Sequence, residues 1–389
     1  MTAKSLVLHI GDPKTGSSSI QQVLRNALYE TDGFTLDYPA QLNAFPLANA
    51  LWDAKQAEQR APRFAKLATW LAASQADVAV VSAEQFFRVN PAVLQQALDE
   101  FLPDYATNIR IVAYVRPHVN RLLSAYMQRT KAGLFQGDLN TFFEKTKREN
   151  LLTYAPRFQS WRDQFGLRFT LRPMIRDKLR GHDVVTDFLD LALNGHAFKL
   201  LGAVEANASL ALEPLAGLRE VQGVLMRNKV AAGTRHSVGD YVTRALIGHA
   251  AGRATKLQLP PALYATVQAY CAADAATLDA AFFDQPLMTQ ALEQAATDTA
   301  PARQSNLAKD HFSEETVLAL RQKGRRLVTL FKKRPAAWTQ AFEREIGQRA
   351  PAEDGKPPLP PIVAHNANVN VILSDIADLI ASVGTPAVK

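Results

Sequence analysis

The sequence predicts an α/β protein with a central parallel sheet that is flanked by helices. Three observations support this fold class. Short apolar runs alternate with longer stretches in which apolar residues recur at helical spacing. The first apolar run stops at a glycine-containing turn that leads into such a helical stretch. Hydrophobic residues make up 47% and charged residues 21% of the 389 residues, which is typical of a protein that buries a core. Strands that alternate with helices pair in parallel.

The elements follow in order along the chain. The first strand covers residues 6–10, and the helix after it begins near Ser17. Further strands are predicted at residues 33–38, 77–81, 109–115 and 168–172, and helices at residues 61–74, 91–101 and from Pro117 onward. Residues 180–283 are predicted to be mostly helical, with a core helix at 263–283, and amphipathic helices are predicted at 314–330 and 369–380. We expect one α/β domain over residues 1–295 and a helical extension over 296–389, with a proline-rich linker at 350–361.

The turn after the first strand reads Gly11-Asp-Pro-Lys-Thr-Gly16 and is followed by Ser17, Ser18 and Ser19. At such a turn the first backbone N–H groups of the helix and the positive end of its dipole point toward a ligand. Lys14 adds a full charge, and the Ser17 and Ser18 hydroxyls add neutral donors. The pattern predicts an anion site, although a structural turn with an incidental lysine fits the same residues.

The kind of anion follows from where the lysine stands. Loops that bind nucleoside triphosphates place lysine after the second glycine and then a hydroxyl residue for magnesium. Here Ser17 occupies that position and the lysine lies inside the loop, at Lys14. The strand at 77–81 runs into Ser82 rather than an acidic residue. The loop therefore favours a phosphate or phosphosulfate group that is bound without a metal.

A second stretch follows the strand at 109–115 and reads Arg116-Pro-His118, then Arg121, then Ser124-Ala-Tyr126. Arg116 ends a strand, so it belongs at the same edge of a parallel sheet as the glycine turn. An arginine fork and a hydroxyl commonly hold a phosphate. The alternative is an arginine that covers the sheet edge and a solvated serine.

The segment Pro13-Lys-Thr-Gly-Ser-Ser18 resembles the 5′-phosphosulfate loop of PAPS-dependent sulfotransferases, and Arg116, Arg121, Ser124 and Tyr126 resemble their 3′-phosphate motif. The resemblance covers roughly residues 1–290 and is closer to the bacterial, carbohydrate-type branch, whose fold is P-loop-like. It implies a transferase that moves a sulfuryl group from PAPS to a hydroxyl or amine and releases PAP. The loop residues Lys14, Thr15, Gly16, Ser17, Ser18 and Ser19 would then hold the 5′ end, and Arg116 and Ser124 the 3′-phosphate.

The resemblance also implies a general base and a basic loop that closes over the nucleotide. Family members use a His or Glu, and this sequence offers Glu84 after the strand at 77–81 or Asp37 in the second strand. Glu84 is the preferred candidate, His118 is the runner-up, and a helix-start or salt-bridging role for Glu84 stays open. The predicted basic loop is residues 227–239, and Arg235 is its candidate for contacting the nucleotide. The same stretch also fits a solvated basic loop without a ligand.

Composition limits the remaining functions. A net charge of +7 favours anionic ligands, and the single cysteine, Cys271, fits a reducing compartment. We see no secretory leader, membrane-spanning run, metal-ligand cluster or base-reading motif, and expect a cytoplasmic protein with a small-molecule or glycan acceptor and no specific nucleic acid. The C-terminal helices could form a homodimer. Two other functions stay open: a P-loop nucleotide kinase or NTPase, and a catalytically inactive binding or scaffold protein on the same fold.

Overall fold

A computed structural model describes residues 5–39, 43–202, 210–247, 255–301, 304–346 and 360–382. The strands are β1 (Ser5–Ile10), β2 (Tyr29–Thr31), β3 (Leu36–Asp37), β4 (Val78–Ala83), β5 (Arg110–Val115), β6 (Phe169–Pro173) and β7 (Phe198–Leu200). The helices of the first half are α1 (Ser17–Arg25), α2 (Phe45–Trp52), α3 (Arg60–Ala73), α4 (Pro91–Phe101), α5 (His118–Lys131), α6 (Leu139–Arg148), α7 (Ala155–Phe165) and α8 (Val184–Ala192). Those of the second half are α9 (Leu212–Arg227), α10 (Ala232–Ile247), α11 (Pro261–Phe282), α12 (Leu287–Gln294), α13 (Glu314–Lys333), α14 (Ala337–Glu345) and α15 (Pro360–Ala381). Within these ranges we find no helix that is both long and apolar enough to cross a membrane.

The central sheet has five parallel strands in the order β3-β4-β1-β5-β6. The predicted α/β class with a helix-flanked parallel sheet and a helical C-terminal region is therefore confirmed. Strand β1 lies between β4 and β5, so the carboxyl ends of these three strands are neighbours at one edge of the sheet. Ligands of open parallel sheets bind beyond such ends. A separate antiparallel pair joins β2 to β7.

The inner strands β1, β4 and β5 are buried on both faces, which explains why they are nearly continuous apolar runs. Along β1, Val7 packs with Ile20 of α1 and Phe188 of α8. Leu8 points the other way and lines a small apolar cavity with Phe64 of α3. Each such buried side chain contributes about 1.5–3 kcal/mol of hydrophobic stabilisation.

Several elements differ from the sequence-based prediction. The strand predicted at 33–38 is only the two-residue edge strand β3. The elements that were not predicted are α2, α6, α7, α12, α14 and the pair β2–β7. The basic stretch at 227–239, predicted as a loop, is the end of α9, a short turn and the beginning of α10. The linker prediction at 350–361 lies outside the described residues except for its last two, which begin α15.

The chain forms two compact units, each assembled from separate segments. The first unit consists of residues 1–121, 150–207 and 268–294 and contains the parallel sheet. The second consists of residues 122–149, 208–267 and 295–389. The C-terminal residues thus belong to a larger helical unit, and the functional division at residue 295 stays a prediction.

The second unit has its own apolar core, formed by α9, α10, α13, α14 and α15. Trp338 stacks on Phe342 with ring centroids 5.3 Å apart, and its indole Nε1 donates to Asn370 Oδ1 at 2.7 Å. Leu320 and Leu373 are fully buried in the same core. The amphipathic pattern of the C-terminal sequence is therefore explained by packing within this unit.

Candidate active site

The loop after β1 adopts an unusual backbone conformation. Lys14 has φ of 75° and Gly16 has φ of 84°, so both lie in the left-handed region. A Cβ added at Gly16 would lie 2.6 Å from Cγ1 of Val184, which leaves no room for a side chain. At Lys14 a non-glycine residue adopts this conformation at a cost of about 1–3 kcal/mol. Strained loop residues of this kind concentrate at functional sites, so the loop geometry itself points to a ligand.

Unpaired donors surround the start of α1. The backbone N–H groups of Gly16, Ser17 and Ser18 have no acceptor within the described part of the chain, and no side chain caps the helix. The Ser17 hydroxyl is buried and also has no hydrogen-bond partner there. A buried polar group without a partner costs roughly 1–3 kcal/mol, which an incoming acceptor atom would recover. Together with the positive end of the helix dipole, these donors form a site for an anion.

Glu84 lies against the beginning of this loop. It is the first residue of the 3₁₀ turn Glu84–Arg88 that follows β4. The N–H of Gly11 donates to the Ala83 carbonyl at 3.4 Å, and a Cβ added at Gly11 would lie 2.5 Å from Ser17 Oγ and 3.1 Å from Glu84 Cγ. Only glycine allows the loop, the serine and the carboxylate to approach so closely.

The surroundings of Glu84 raise the pKa of its carboxyl above the ordinary value. Burial is the largest cause, and Asp12 acts in the same direction, while the cations Lys14 and Arg121 oppose the shift. A carboxylate whose pKa is raised is a stronger base than a solvated one. The structure therefore brings the predicted base and the predicted lysine into the same electrostatic environment.

Asp12 connects the loop to two arginines. Its carboxylate is buried, with Oδ2 at 3.2 Å from Arg121 Nε and Oδ1 at 2.7 Å from Arg157 Nη2. Its backbone carbonyl accepts a hydrogen bond from the Thr15 hydroxyl at 2.6 Å. Burial is the largest single influence and lowers the pKa of Arg121, but the charge of Asp12, its hydrogen bond to Arg121 and the nearby Tyr154 and Glu84 together outweigh burial, so the net shift is upward. Asp12 thus fixes the loop and holds two cations beside it.

Arg116 reaches the loop from the end of β5. Its Nη1 donates to the backbone carbonyl of Lys14 at 3.0 Å. Burial and the neighbouring charge of Arg121 both lower the pKa of Arg116. A bound anion would relieve this repulsion between cations. Arg116, the first residue of the second motif, therefore contacts the glycine turn within the first unit.

The other predicted binding residues have varied environments. The Thr15 hydroxyl donates its hydrogen bond to the Asp12 carbonyl, so it already has a partner. Ser18 is exposed and Ser19 is partly exposed. Ser124 is buried on α5 and belongs to the second unit, as does Arg235. Arg235 lies on α10, where its Nη1 donates to the Val230 carbonyl at 2.7 Å. Nucleotide-binding roles for these residues stay predictions.

His118, the second candidate base, is fully buried. Its Nε2 lies 2.9 Å from Asp274 Oδ2, and Asp274 also accepts the N–H groups of Tyr154 and Ala155. The imidazole stacks on the Tyr154 ring with centroids 4.6 Å apart. Through these contacts His118 links the start of α5 to the start of α7 and to α11.

The remaining titratable candidates lie on strands. Asp37 is partly exposed on the edge strand β3, which β4 separates from β1. His9 is buried in β1 with Nδ1 2.8 Å from Ser82 Oγ, and burial lowers its pKa to about 3. Gln21 donates to the same Ser82 hydroxyl at 3.0 Å. His9 is therefore a neutral core residue.

Asp12 and Arg157 were not predicted as site residues from the sequence. Asp12 stands inside the glycine turn, and an acidic residue in a loop expected to bind an anion was a signal that some cation must neutralise it. Arg157 lies on α7, a helix that was not predicted, 145 residues from Asp12 in the sequence. Only the packing of α7 places it beside the loop.

In the part of the chain that the structure describes, no cluster of His, Cys, Asp and Glu could hold a metal ion. Neither a protein-family model nor a curated protein matches the sequence. Among solved structures, the crystal structure of a sulfotransferase from Alicyclobacillus acidocaldarius is similar at 14% identity, covering 74% of this chain and 99% of that chain with a TM-score of 0.41. A likeness of this extent carries no argument about activity, which must come from the site itself.

Proposed function

We propose that this protein is a sulfotransferase that moves a sulfuryl group from PAPS to a hydroxyl or amine of an acceptor. The observation that carries the proposal is the hydrogen bond from Arg116 to the Lys14 carbonyl. It joins a loop suited to a phosphosulfate with an arginine suited to a second phosphate. A donor with two separate anionic groups matches this pair of motifs better than a single phosphate does.

The residues present fit such a donor. The unpaired N–H groups of Gly16, Ser17 and Ser18 and the buried Ser17 hydroxyl supply neutral donors for its 5′ end. Lys14 supplies a full charge there. Arg116 supplies a planar fork for the 3′-phosphate, and Ser124 is the proposed second contact. Bound at this site, the donor supplies the activated sulfuryl group for transfer.

The chemistry follows from the charges. The acceptor oxygen forms a bond to sulfur while the bond from sulfur to the phosphate oxygen breaks, and that oxygen keeps the electron pair as PAP leaves. The acceptor proton passes to the Glu84 carboxylate. Lys14 and the first N–H groups of α1 stabilise the negative charge that develops on the leaving oxygen. Losing one preorganised donor of this kind typically costs about 10²–10³ in rate.

The alternative function, a P-loop nucleotide kinase or NTPase, has less support at this site. A nucleoside triphosphate loop would carry its lysine at position 17, where Ser17 stands instead. The acidic side chain nearest the loop, Asp12, is engaged by Arg121 and Arg157. We therefore retain nucleotide phosphorylation only as an outcome of the binding test.

The test is calorimetric titration of the full chain with PAP and, separately, with ATP and magnesium. The wild type should bind PAP at micromolar concentration or tighter without added metal, and Arg116→Ala should lose at least about tenfold in affinity. Arg148→Ala is the matched control, because it removes the same charge from an exposed position on α6. Preference for ATP with magnesium would favour the kinase, and binding of neither nucleotide would favour the inactive scaffold.

A further inference from the structure

A row of alternating aromatic rings and guanidinium groups lies next to Glu84 in the first unit. The Arg88 guanidinium carbon lies 4.9 Å from the ring centroid of Trp52 and 5.0 Å from that of Phe87. The guanidinium carbon of Arg157 lies 5.6 Å from the Phe87 centroid and 4.8 Å from that of Phe158. We call Trp52, Arg88, Phe87, Arg157 and Phe158 the cation–aromatic row.

The two arginines of the row differ in their partners. Arg157 is held by Asp12 and has 21% of its side chain exposed. Arg88 is exposed, and no hydrogen-bond acceptor or carboxylate contacts it among the described residues. Its guanidinium contacts the rings of Trp52 and Phe87 instead. The Trp52 indole donates to Asn49 Oδ1 at 3.0 Å, which fixes that ring. Among the described residues, the Arg88 guanidinium therefore has no acceptor for its N–H groups and lies at an exposed position.

The row starts at the proposed base and reaches the proposed donor loop. Phe87 and Arg88 lie on the same 3₁₀ turn as Glu84. At the other end, Arg157 bonds Asp12, which lies inside the loop that contains Lys14. A molecule whose hydroxyl lies at Glu84 would therefore have the row beside it.

The chemistry of the row selects a particular type of ligand. A planar guanidinium binds a carboxylate or sulfate through two parallel hydrogen bonds. The Trp52 ring, 39% exposed, offers a flat apolar surface that packs against a ring face. The row therefore fits an anionic molecule with a flat apolar face. Two sources share this chemistry: a uronic acid unit of an acidic glycan and a hydroxylated aromatic carboxylate.

We propose that the cation–aromatic row is the binding site for the acceptor, and that the acceptor is an anionic hydroxyl compound with a flat face. Assigning the ligand as an acceptor rests on the proposed sulfotransferase function. Binding at the row does not rest on it. The net charge of +7 would attract such a molecule from a distance.

The test titrates the full chain with matched pairs of probes by calorimetry. Methyl glucuronide is compared with methyl glucoside, and para-hydroxybenzoate with phenol, so each pair differs in its charge. Arg88→Gln, Arg88→Lys and Trp52→Ala are measured beside the control Arg148→Ala, and the unfolding midpoint of each variant shows that it folds. A parallel titration with PAP tests the donor site.

The wild type should bind one anionic probe at least about fivefold more tightly than its neutral partner, and the stronger probe indicates whether the source is glycan or aromatic acid. Arg88→Gln should remove this difference, Arg88→Lys should retain part of it because the charge remains, and Trp52→Ala should weaken both members of the pair. Equal binding of charged and neutral probes, no binding of any probe, or an unchanged preference in a folded Arg88→Gln would overturn the inference. A failure of PAP to bind would overturn the proposed function alone.

Discussion

The Arg116 guanidinium donates through Nη1 to the backbone carbonyl of Lys14 at 3.0 Å, and the two residues are 102 positions apart in the sequence. The carbonyl that it bonds belongs to a residue with φ of 75°. Arg116 therefore joins the end of β5 to the strained loop. The side chain that we propose for the 3′-phosphate thus contacts the loop that we propose for the 5′ end of the donor.

The variant Arg116→Lys should show whether PAP binding needs the planar guanidinium of this residue or only its positive charge. Lysine keeps the positive charge but has no planar fork, so it cannot bond the Lys14 carbonyl and a phosphate in the same way. We expect PAP affinity to fall about tenfold, while the free energy of unfolding changes by less than about 1 kcal/mol. Calorimetry and urea titration measure the two quantities. Wild-type affinity in the lysine variant would show that charge alone is sufficient at this position.

Gly16→Ala should destabilise the fold more than an ordinary glycine replacement. The added methyl group combines a left-handed φ with contact to Val184 at 2.6 Å, and we expect a loss of about 3 kcal/mol. Gly33→Ala is the matched control, because Gly33 has φ of 71° and nothing within 4 Å of the added Cβ, so about 1 kcal/mol is expected. Urea unfolding of both variants gives the difference. Equal losses would mean that Val184 moves aside without cost.

Much of this architecture could be predicted because its signals are local. Strands β1, β4 and β5 are buried on both faces and therefore appear as apolar runs, and Pro91 marks the beginning of α4 where it was expected. The extent of the edge strand β3 was predicted wrongly because its two residues are only partly buried. An edge strand has one partner, and its sequence carries little periodic signal.

The candidate site was predictable only where its residues belong to continuous motifs. Lys14 and Arg116 were found because each follows a strand, and the order of strands brings strand ends together. Arg157 and Asp274 could not be found in this way, because their roles depend on how α7 and α11 pack. The burial of His118 could not be predicted for the same reason, since its contacts come from Tyr154 and Asp274, which are far along the chain.

Asp12→Asn should be strongly destabilising. The substitution leaves Arg121, which is almost fully buried, without its carboxylate, and removing one member of a buried pair costs about 3–5 kcal/mol. Asp298→Asn is the control, because the Lys256–Asp298 pair is exposed and such pairs contribute about 0–1 kcal/mol. Denaturant unfolding compares the two.

The double variant Asp12→Asn/Arg121→Met tests the cause of that loss. If the unpaired charge of Arg121 is responsible, the double variant should be more stable than the sum of the single effects predicts. Additive losses would instead indicate that Asp12 acts through the Thr15 hydrogen bond to its carbonyl or through Arg157.

Glu84→Gln should abolish the base without removing the donor site. We expect the turnover number to fall about 10²–10⁴-fold, with PAP affinity within about twofold of the wild type. The acid limb of the wild-type rate profile should lie above pH 4.5, the ordinary pKa of the group, because burial raises the pKa of Glu84 and only the ionised form accepts a proton. This limb should be absent from the residual activity of the variant. Steady-state rates measured across pH, with an acceptor that the wild type sulfates, check both the fall in turnover number and the position of the acid limb.

The same pKa shift predicts a change in stability with a definite sign. Because the folded pKa of Glu84 is raised, its contribution to stability is fully present below pH 4.5 and is lost as pH rises through the folded value. Glutamine does not ionise, so the variant should be more stable than the wild type at neutral pH, and this gain should vanish in acid. Glu100→Gln, at an exposed position on α4, should show no such pH-dependent gain. If Asp37→Asn or His118→Gln removed the acid limb while Glu84→Gln kept it, the base would be that other residue and the reaction class would still stand.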